Sequence, residues 1–293
     1  MRIVVTGASG LIGTALVSLL EGGGDDVVRL VRRPAEGPHE LQWDGAHLAP
    51  EALTDAQAVV HLAGAGVGDK RWTKSYRQLV LDSRVRGTTA IATAVAAAQT
   101  PVLLSSSAVG WYGDTGATLT DESGPSGEGF LAGVCRAWEG ATAVAEPVAR
   151  VVHLRTGIVM SGSGGALRKQ LPIFRAGLGA PLGTGKQWLS WISLTDEVRA
   201  IQHLLTTNVS GPVNLVAPAP VTNKAFTKEL ASVLHRPALP VAVPGALLRA
   251  ALGGFAQEGV LTGQRLEPKV LVRSGFRFEH PDLRSALEEA LRR

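Results

Sequence analysis

Residues 2 to 13 read Arg-Ile-Val-Val-Thr-Gly-Ala-Ser-Gly-Leu-Ile-Gly. A short apolar run enters three glycines, and behind them Leu11, Ile12, Ala15, Leu16, Leu19 and Leu20 recur at helical spacing. The pattern predicts a strand, a tight turn and a helix that form a phosphate-binding corner. Gly7 allows the turn, Gly10 lets backbone approach a pyrophosphate, and Gly13 lets the helix pack closely on the strand. The first amides of a helix have no intrahelical acceptor, so they point at the anion. Ser9, Leu11 and Ile12 complete the candidate cradle.

Outward from this corner, apolar runs predict strands at 2–5, 27–31, 58–62, 101–105 and 150–155, with a weaker one near 40–43. Arg77 to Ala98 predicts a long helix, and Trp138 to Val144 falls in another. Apolar strands alternating with helices imply an α/β fold, a doubly wound parallel sheet of the Rossmann type with its ligand crevice outside the strands' carboxyl ends. After Val159 the texture changes: a Ser/Gly loop at 161–165, a Gly- and Pro-rich stretch at 176–185, a last strand at 211–216 and an amphipathic helix at 283–291. The expected organisation is a dinucleotide-binding domain over 1–160, completed by about 191–217, with 161–190 and 218–293 forming a smaller C-terminal lobe that caps the substrate.

The composition, 45% hydrophobic and 18% charged over 293 residues, is that of a globular protein rather than a disordered one. The net charge of +4 is mild, and no stripe of Lys or Arg interleaves with aromatics, which argues against nucleic-acid binding. Cys135 is the single cysteine, excluding an internal disulfide, and the seven histidines show no metal-ligand spacing. No run approaches the ~18 apolar residues of a membrane span. Ile3-Val4-Val5 is too short for a signal peptide, so a soluble, cytoplasmic protein acting on a small molecule is expected. A homodimer stays open.

Rossmann units that bind NAD usually carry a carboxylate about 20 residues past the last glycine, on the ribose 2′-hydroxyl. Here Arg32 and Arg33 follow the second strand, while Asp25 and Asp26 lie at its other end. A carboxylate would repel a 2′-phosphate, whereas guanidinium binds it through paired N–H donors. The expected cofactor is NADP(H). His61 reads as a core histidine; Leu62, Ala63 and Gly64 follow as candidate cofactor contacts, Ala63 and Gly64 being small enough to let a ligand approach the backbone.

The chain resembles the extended short-chain dehydrogenase/reductases, on the branch of sugar-nucleotide epimerases and dehydratases. The residues that carry this are 6–13, His61-Leu62-Ala63-Gly64, Ser105-Ser106-Ser107-Ala108 with Tyr112-Gly113, and 191–197. Arg71-Trp72, Ser83-Arg84, the run 183–192 and the closing segment 268–278 are similar to the epimerase-like SDR39U1 or YfcH-like subfamily. The resemblance implies a reaction run by a Ser, a Tyr and a Lys, the last two in Tyr-x-x-x-Lys. Ser107 matches the serine, but aligning Glu139 with the acidic residue that often follows the motif puts Leu131 and Cys135 in the other two places. Tyr76 has Val80 where the lysine would stand, so Tyr112 is the remaining catalytic candidate; it reads equally as a packing ring beside Trp111. Asp114 is a further proton acceptor to consider, and Lys70, Arg71 and Arg84 would supply positive charge around an anionic substrate. Arg84, Ser105 and Thr156 complete the expected cofactor contacts. Phe174, Leu178, Trp188 and Trp191 form either an aromatic wall over the crevice or the core of the small lobe. Two functions remain: an NADP(H)-binding, epimerase-like oxidoreductase working without the dyad, or a non-catalytic NADP(H)-binding module that reports redox state.

Overall fold

The computed structural model describes residues 1–292. In chain order the first half runs β1 (Arg2–Thr6), α1 (Leu11–Gly22), β2 (Asp26–Val31), β3 (Glu40–Gln42), β4 (Ala58–His61), α2 (Lys74–Ala98), β5 (Val102–Ala108), α3 (Phe130–Gly140) and β6 (Arg150–Thr156). The second half continues with β7 (Ile158–Met160), α4 (Gly165–Arg175), β8 (Trp188–Leu189), β9 (Trp191–Ser193), α5 (Leu194–Thr206), β10 (Gly211–Leu215), β11 (Val221–Thr222) and α6 (Asn223–Val233). It closes with α7 (Gly245–Leu252), α8 (Gly254–Ala256), α9 (Lys269–Arg273) and α10 (Leu283–Arg292).

Seven strands form one sheet in the order β10-β6-β5-β4-β1-β2-β3, every pair parallel. Side chains alternate across a strand, and β1 shows the consequence. Ile3 and Val5 enter one core with Leu16 and Leu20 of α1 and Ile201 and Leu204 of α5. Val4 enters the opposite core with Ile91 and Val95 of α2. Apolar runs without polar alternation are what a sheet covered on both faces requires. The strand order reverses between β1 and β4, so ligands are expected beyond their carboxyl ends.

Two helices differ from their sequence expectation, each for a reason of capping. Helix α2 begins at Lys74 rather than Arg77 because the Thr73 hydroxyl accepts the Tyr76 N–H at 3.1 Å. Helix α3 occupies Phe130–Gly140, earlier than the stretch read at 138–144, which forms the end of the helix and the turns after it. Its N-cap, Gly129, has φ of 97° and no side chain to cap with. The cap comes instead from Glu258, whose Oε2 accepts the Leu131 N–H at 2.8 Å across 127 residues of chain.

A separate apolar core gathers Met160, Leu171, Phe174, Trp191, Phe226 and Leu287. Phe174 and Trp191 are therefore core residues of this part, whereas Leu178 is exposed. Here β7 pairs with β9 and β8 with β11, while α5 returns to the large sheet and packs on α1. Among the described residues no helix is long and apolar enough to cross a membrane, and no cluster of His, Cys, Asp or Glu is arranged to hold a metal.

Candidate functional site

A crevice of about 930 Å³ opens at the carboxyl ends of β1, β2, β3 and β4. Gly7, Ser9 and Gly10 from the glycine corner line it, with Arg32 and Arg33 after β2 and Leu62, Ala63 and Gly64 after β4. The turn works only with glycine. Gly7 has φ of 68°, and a Cβ there would lie 2.8 Å from the Leu62 carbonyl carbon. A Cβ on Gly13 would lie 2.1 Å from the Gly7 oxygen, so helix α1 starts hard against the strand end. No side chain caps α1, and no acidic residue stands in its first turn. The positive end of the helix is thus left facing the crevice floor. Leu11, Ile12 and Gly13 form that first turn and do not themselves line the cavity.

The two arginines behave differently. Arg33 donates from Nη1 and Nη2 to the Glu40 carboxylate at 2.8 and 2.7 Å, and Glu36 lies 3.3 Å away. The hydrogen bonds to Arg33 hold the Glu40 carboxyl below its usual range and raise the Arg33 guanidinium above its own. Arg32 is exposed, lines the same wall, and has no hydrogen bond or ion pair among the described residues. Its donors are free for an incoming anion.

Other expected contacts lie outside the crevice lining. Arg84 is 8% exposed; its Nη1 donates to the carbonyls of Ala65 and Val80, both at 3.0 Å, and its guanidinium stacks over Trp138 at 4.7 Å. It supports the Gly64–Ala65 wall from behind. Ser105 is fully buried in β5, and Thr156 donates its hydroxyl to Glu197 Oε1 at 2.8 Å. His61 is a core residue, as its sequence context suggests, bonded to the hydroxyls of Thr6 and Thr88; burial pushes its pKa down to about 4.

The catalytic candidates sit in a buried polar network. Ser107 is 4% exposed and donates to Glu139 Oε1 at 2.6 Å. Arg155 grips both oxygens of Glu139 at 2.9 Å and donates to the Tyr112 hydroxyl, also at 2.9 Å. The Tyr112 hydroxyl in turn donates to Asn214 Oδ1 at 2.7 Å. Burial, opposed by Arg155, pushes the Tyr112 phenol up to about 12. On α3, Cys135 donates weakly to the Ala108 carbonyl, and burial pushes its thiol up to about 11, so it stays a neutral thiol. Lys70 and Arg71 are exposed, Arg71 packing against Gly253.

A second cavity, of about 390 Å³, opens where β5 ends, between Gly110, Tyr112, Leu131 and Glu258. A further concavity among Met1, Asp25, His203 and Arg277 lies at the amino end of the sheet, away from where such folds bind ligands. Residues not assigned to the site from sequence include Glu40 of β3 and Trp43, Asp44 and Gly45 just beyond it, all lining the crevice, and Ser83, whose hydroxyl accepts the Ala65 N–H. Carrying the carboxyl-end rule one strand further, to β3, would have found Trp43, Asp44 and Gly45 but not Glu40, which opens that strand. Glu258 gave no local signal.

Comparison with known proteins bears on this geometry. The NAD dependent epimerase/dehydratase family matches residues 3–216, and a domain of unknown function (DUF1731) matches 243–290. Epimerase family protein Mb2239 of Mycobacterium bovis is 46% identical over 295 residues, covering 99% of this chain and 98% of that one. The crystal structure of human epimerase family protein SDR39U1 (isoform 2) with NADPH superposes with a TM-score of 0.90 at 32% identity, covering 100% and 99% of the two chains. A nucleoside-diphosphate sugar epimerase from Corynebacterium glutamicum gives a TM-score of 0.83 at 34% identity, over 99% of this chain and 58% of that one.

Proposed function

The chain belongs to the NAD dependent epimerase/dehydratase family, and on that premise we propose that it is an NADP(H)-binding, epimerase-like oxidoreductase acting on a small substrate. The observation that carries the reading is the Arg32 guanidinium, unpartnered among the described residues, on the wall of the glycine-corner crevice. The crevice fits the cofactor: Gly7 lines it without a side chain, Gly13 lets α1 start hard against the strand end, and the uncapped start of α1 suits a diphosphate. The solved human relative was crystallised with NADPH, consistent with this.

Each group has a role. Gly7, Ser9, Gly10 and the amides of Leu11, Ile12 and Gly13 hold the diphosphate, and Arg32 holds the 2′-phosphate. Arg33 screens Glu40, which would otherwise repel that phosphate. Leu62, Ala63 and Gly64 accept the adenosine side, backed by Arg84. When bound, the dinucleotide supplies a hydride donor or acceptor. Residues 161–190 and 218–293 act as the substrate-capping part. Leu131 and Cys135 stand where the relay phenol and ammonium would be, leaving Ser107 and Tyr112 as the polar groups beneath the site.

One observation favours a second reading, a non-catalytic NADP(H)-binding module. Both Ser107 and Tyr112 are nearly inaccessible, and each spends its hydroxyl proton inside the protein. One experiment separates the two. Calorimetry should show tighter binding of NADPH than of NADH, and NADPH absorbance should fall above background with a panel of small carbonyl compounds. Binding without consumption selects the module. Equal affinity for both cofactors refutes the preference.

A further inference from the structure

The cavity beside α3 has a charge character that the crevice lacks. Three carboxylates line it, Asp114, Glu128 and Glu258, and among the described residues no lysine, arginine or histidine does. None of the three forms an ion pair among the described residues. Two of the nearby cations are committed elsewhere. Arg136 donates to the Ser126 hydroxyl and the Gly127 carbonyl, and Arg155 is bound in two places to Glu139 beneath Tyr112. The expected positive rim is absent too: Lys70, Arg71 and Arg84 do not line this cavity.

Its position is that of a substrate site. The crevice ends at Gly64 and Ala65 after β4, and the cavity begins at Gly110 after the neighbouring strand, β5. Arg84 spans the interval, touching Gly64 on one side and α3 on the other. Gly110 lies directly against Leu131 and Cys135, so the cavity wall is the first turns of α3. Glu258 is the organising group. It is half-buried on a turn of π-helix, Gln257–Leu261; Oε2 accepts the Leu131 N–H, and no protein donor reaches Oε1 among the described residues. Such single π-turns often mark functional sites.

We propose that this cavity takes a neutral or cationic carbonyl compound or alcohol rich in hydrogen-bond donors, with Glu258 setting the preference, and that it excludes nucleotide-linked sugars. The inference rests on the cofactor reading above and names its substrate class. A diphosphate-bearing ligand would bring two negative charges against three, with no guanidinium or ammonium to receive them. An ammonium or hydroxyl group instead finds acceptors already in place.

The test is calorimetric, on the whole protein saturated with NADP⁺, with four probes: aminoacetone, hydroxyacetone, pyruvate and UDP-glucose. The first three share a methyl ketone and differ by one charge each. Aminoacetone should bind tightest and hydroxyacetone next, with pyruvate and UDP-glucose weaker than hydroxyacetone by about tenfold or more. Glu258→Gln keeps an acceptor for the Leu131 amide, so α3 stays capped, and it should narrow the gap between aminoacetone and pyruvate. Asp114→Asn, at an exposed position, should narrow it further. Pyruvate or UDP-glucose binding as tightly as hydroxyacetone overturns the proposal, as does failure of all four probes to bind. Either result leaves the cofactor reading standing, whereas failure of the nucleotide itself to bind overturns both.

Discussion

Arg32 and Arg33 are neighbours in sequence, yet the structure separates their roles, and the difference can be measured. Arg32→Ala removes a guanidinium with no competing partner among the described residues. A charged hydrogen bond to phosphate contributes about 1.5–3 kcal/mol, and this exposed site belongs at the low end, so NADPH should weaken roughly tenfold. NADH carries no 2′-phosphate, so its affinity should hold. Arg33→Ala removes a group whose donors already go to Glu40, and its direct loss is small. It does unmask the Glu40 carboxylate on the crevice wall, so NADPH should weaken by a lesser factor, about threefold to fivefold. The double variant Arg33→Ala with Glu40→Ala should then recover NADPH affinity to near the parent value. Fluorescence titration with both cofactors, at fixed ionic strength because exposed charges are screened, reads all three variants. The reasoning fails if Arg32→Ala leaves the NADPH/NADH ratio unchanged, or if Arg33→Ala lowers it more than Arg32→Ala does.

Other outcomes follow from the same geometry. Gly13→Ala places a methyl 2.1 Å from the Gly7 oxygen, so urea unfolding should show a loss of about 1–3 kcal/mol, and NADPH binding should fall with it. His61 is held neutral by burial with its pKa near 4, below the unfolded 6.5. The unfolded chain therefore binds a proton that the folded one refuses, and stability should drop by about 3 kcal/mol as pH falls from 6.5 to 4, a slope that His61→Gln removes. Glu197 is the opposite case: burial raises its pKa from 4.5 to about 8, so the folded chain keeps a proton that the unfolded one releases. Stability should fall as pH rises through that window, and Glu197→Gln should flatten the fall; an unchanged urea midpoint profile would refute the assignment. If turnover is found, Ser107→Ala and Tyr112→Phe should each lower it, and unchanged rates for both would remove them from the site.

What was legible in the sequence was local. The glycine corner declares itself within twelve residues because turn, close approach and helix start all need glycine nearby. The parallel sheet declares itself because strands buried on both faces carry uninterrupted apolar runs. Capping by Thr73 shifted one boundary by three residues and was visible in principle. The start of α3 was not, since its cap arrives from Glu258 in another part of the chain. The same holds for Ser107 and Tyr112. Residue type and strand end pointed to them, but their partners Glu139, Arg155 and Asn214 lie 32 to 102 residues away. Only those partners show that the hydroxyls face inward.

The network around α3 also bears on which of its positions are fixed by folding. Glu139 and Arg155 are both nearly buried and doubly bonded, and removing one partner of such a pair typically costs about 3–5 kcal/mol. Position 139 is therefore held by folding, whatever the chemistry. Positions 131 and 135 carry no such duty: Leu131 lines the cavity with an apolar side chain, and the Cys135 thiol makes one weak bond. Arg84 lies within electrostatic reach of Cys135, its own charge already disfavoured by burial. A lysine at 135 would add a second buried cation near it, with the Glu139 carboxylate also in electrostatic reach of that position. The guanidinium that stacks on Trp138 and braces Gly64 is thus an electrostatic neighbour of the neutral thiol at 135. Arg84 stands behind the crevice wall, and among the described residues the charged groups that line the cavity beside α3 are carboxylates.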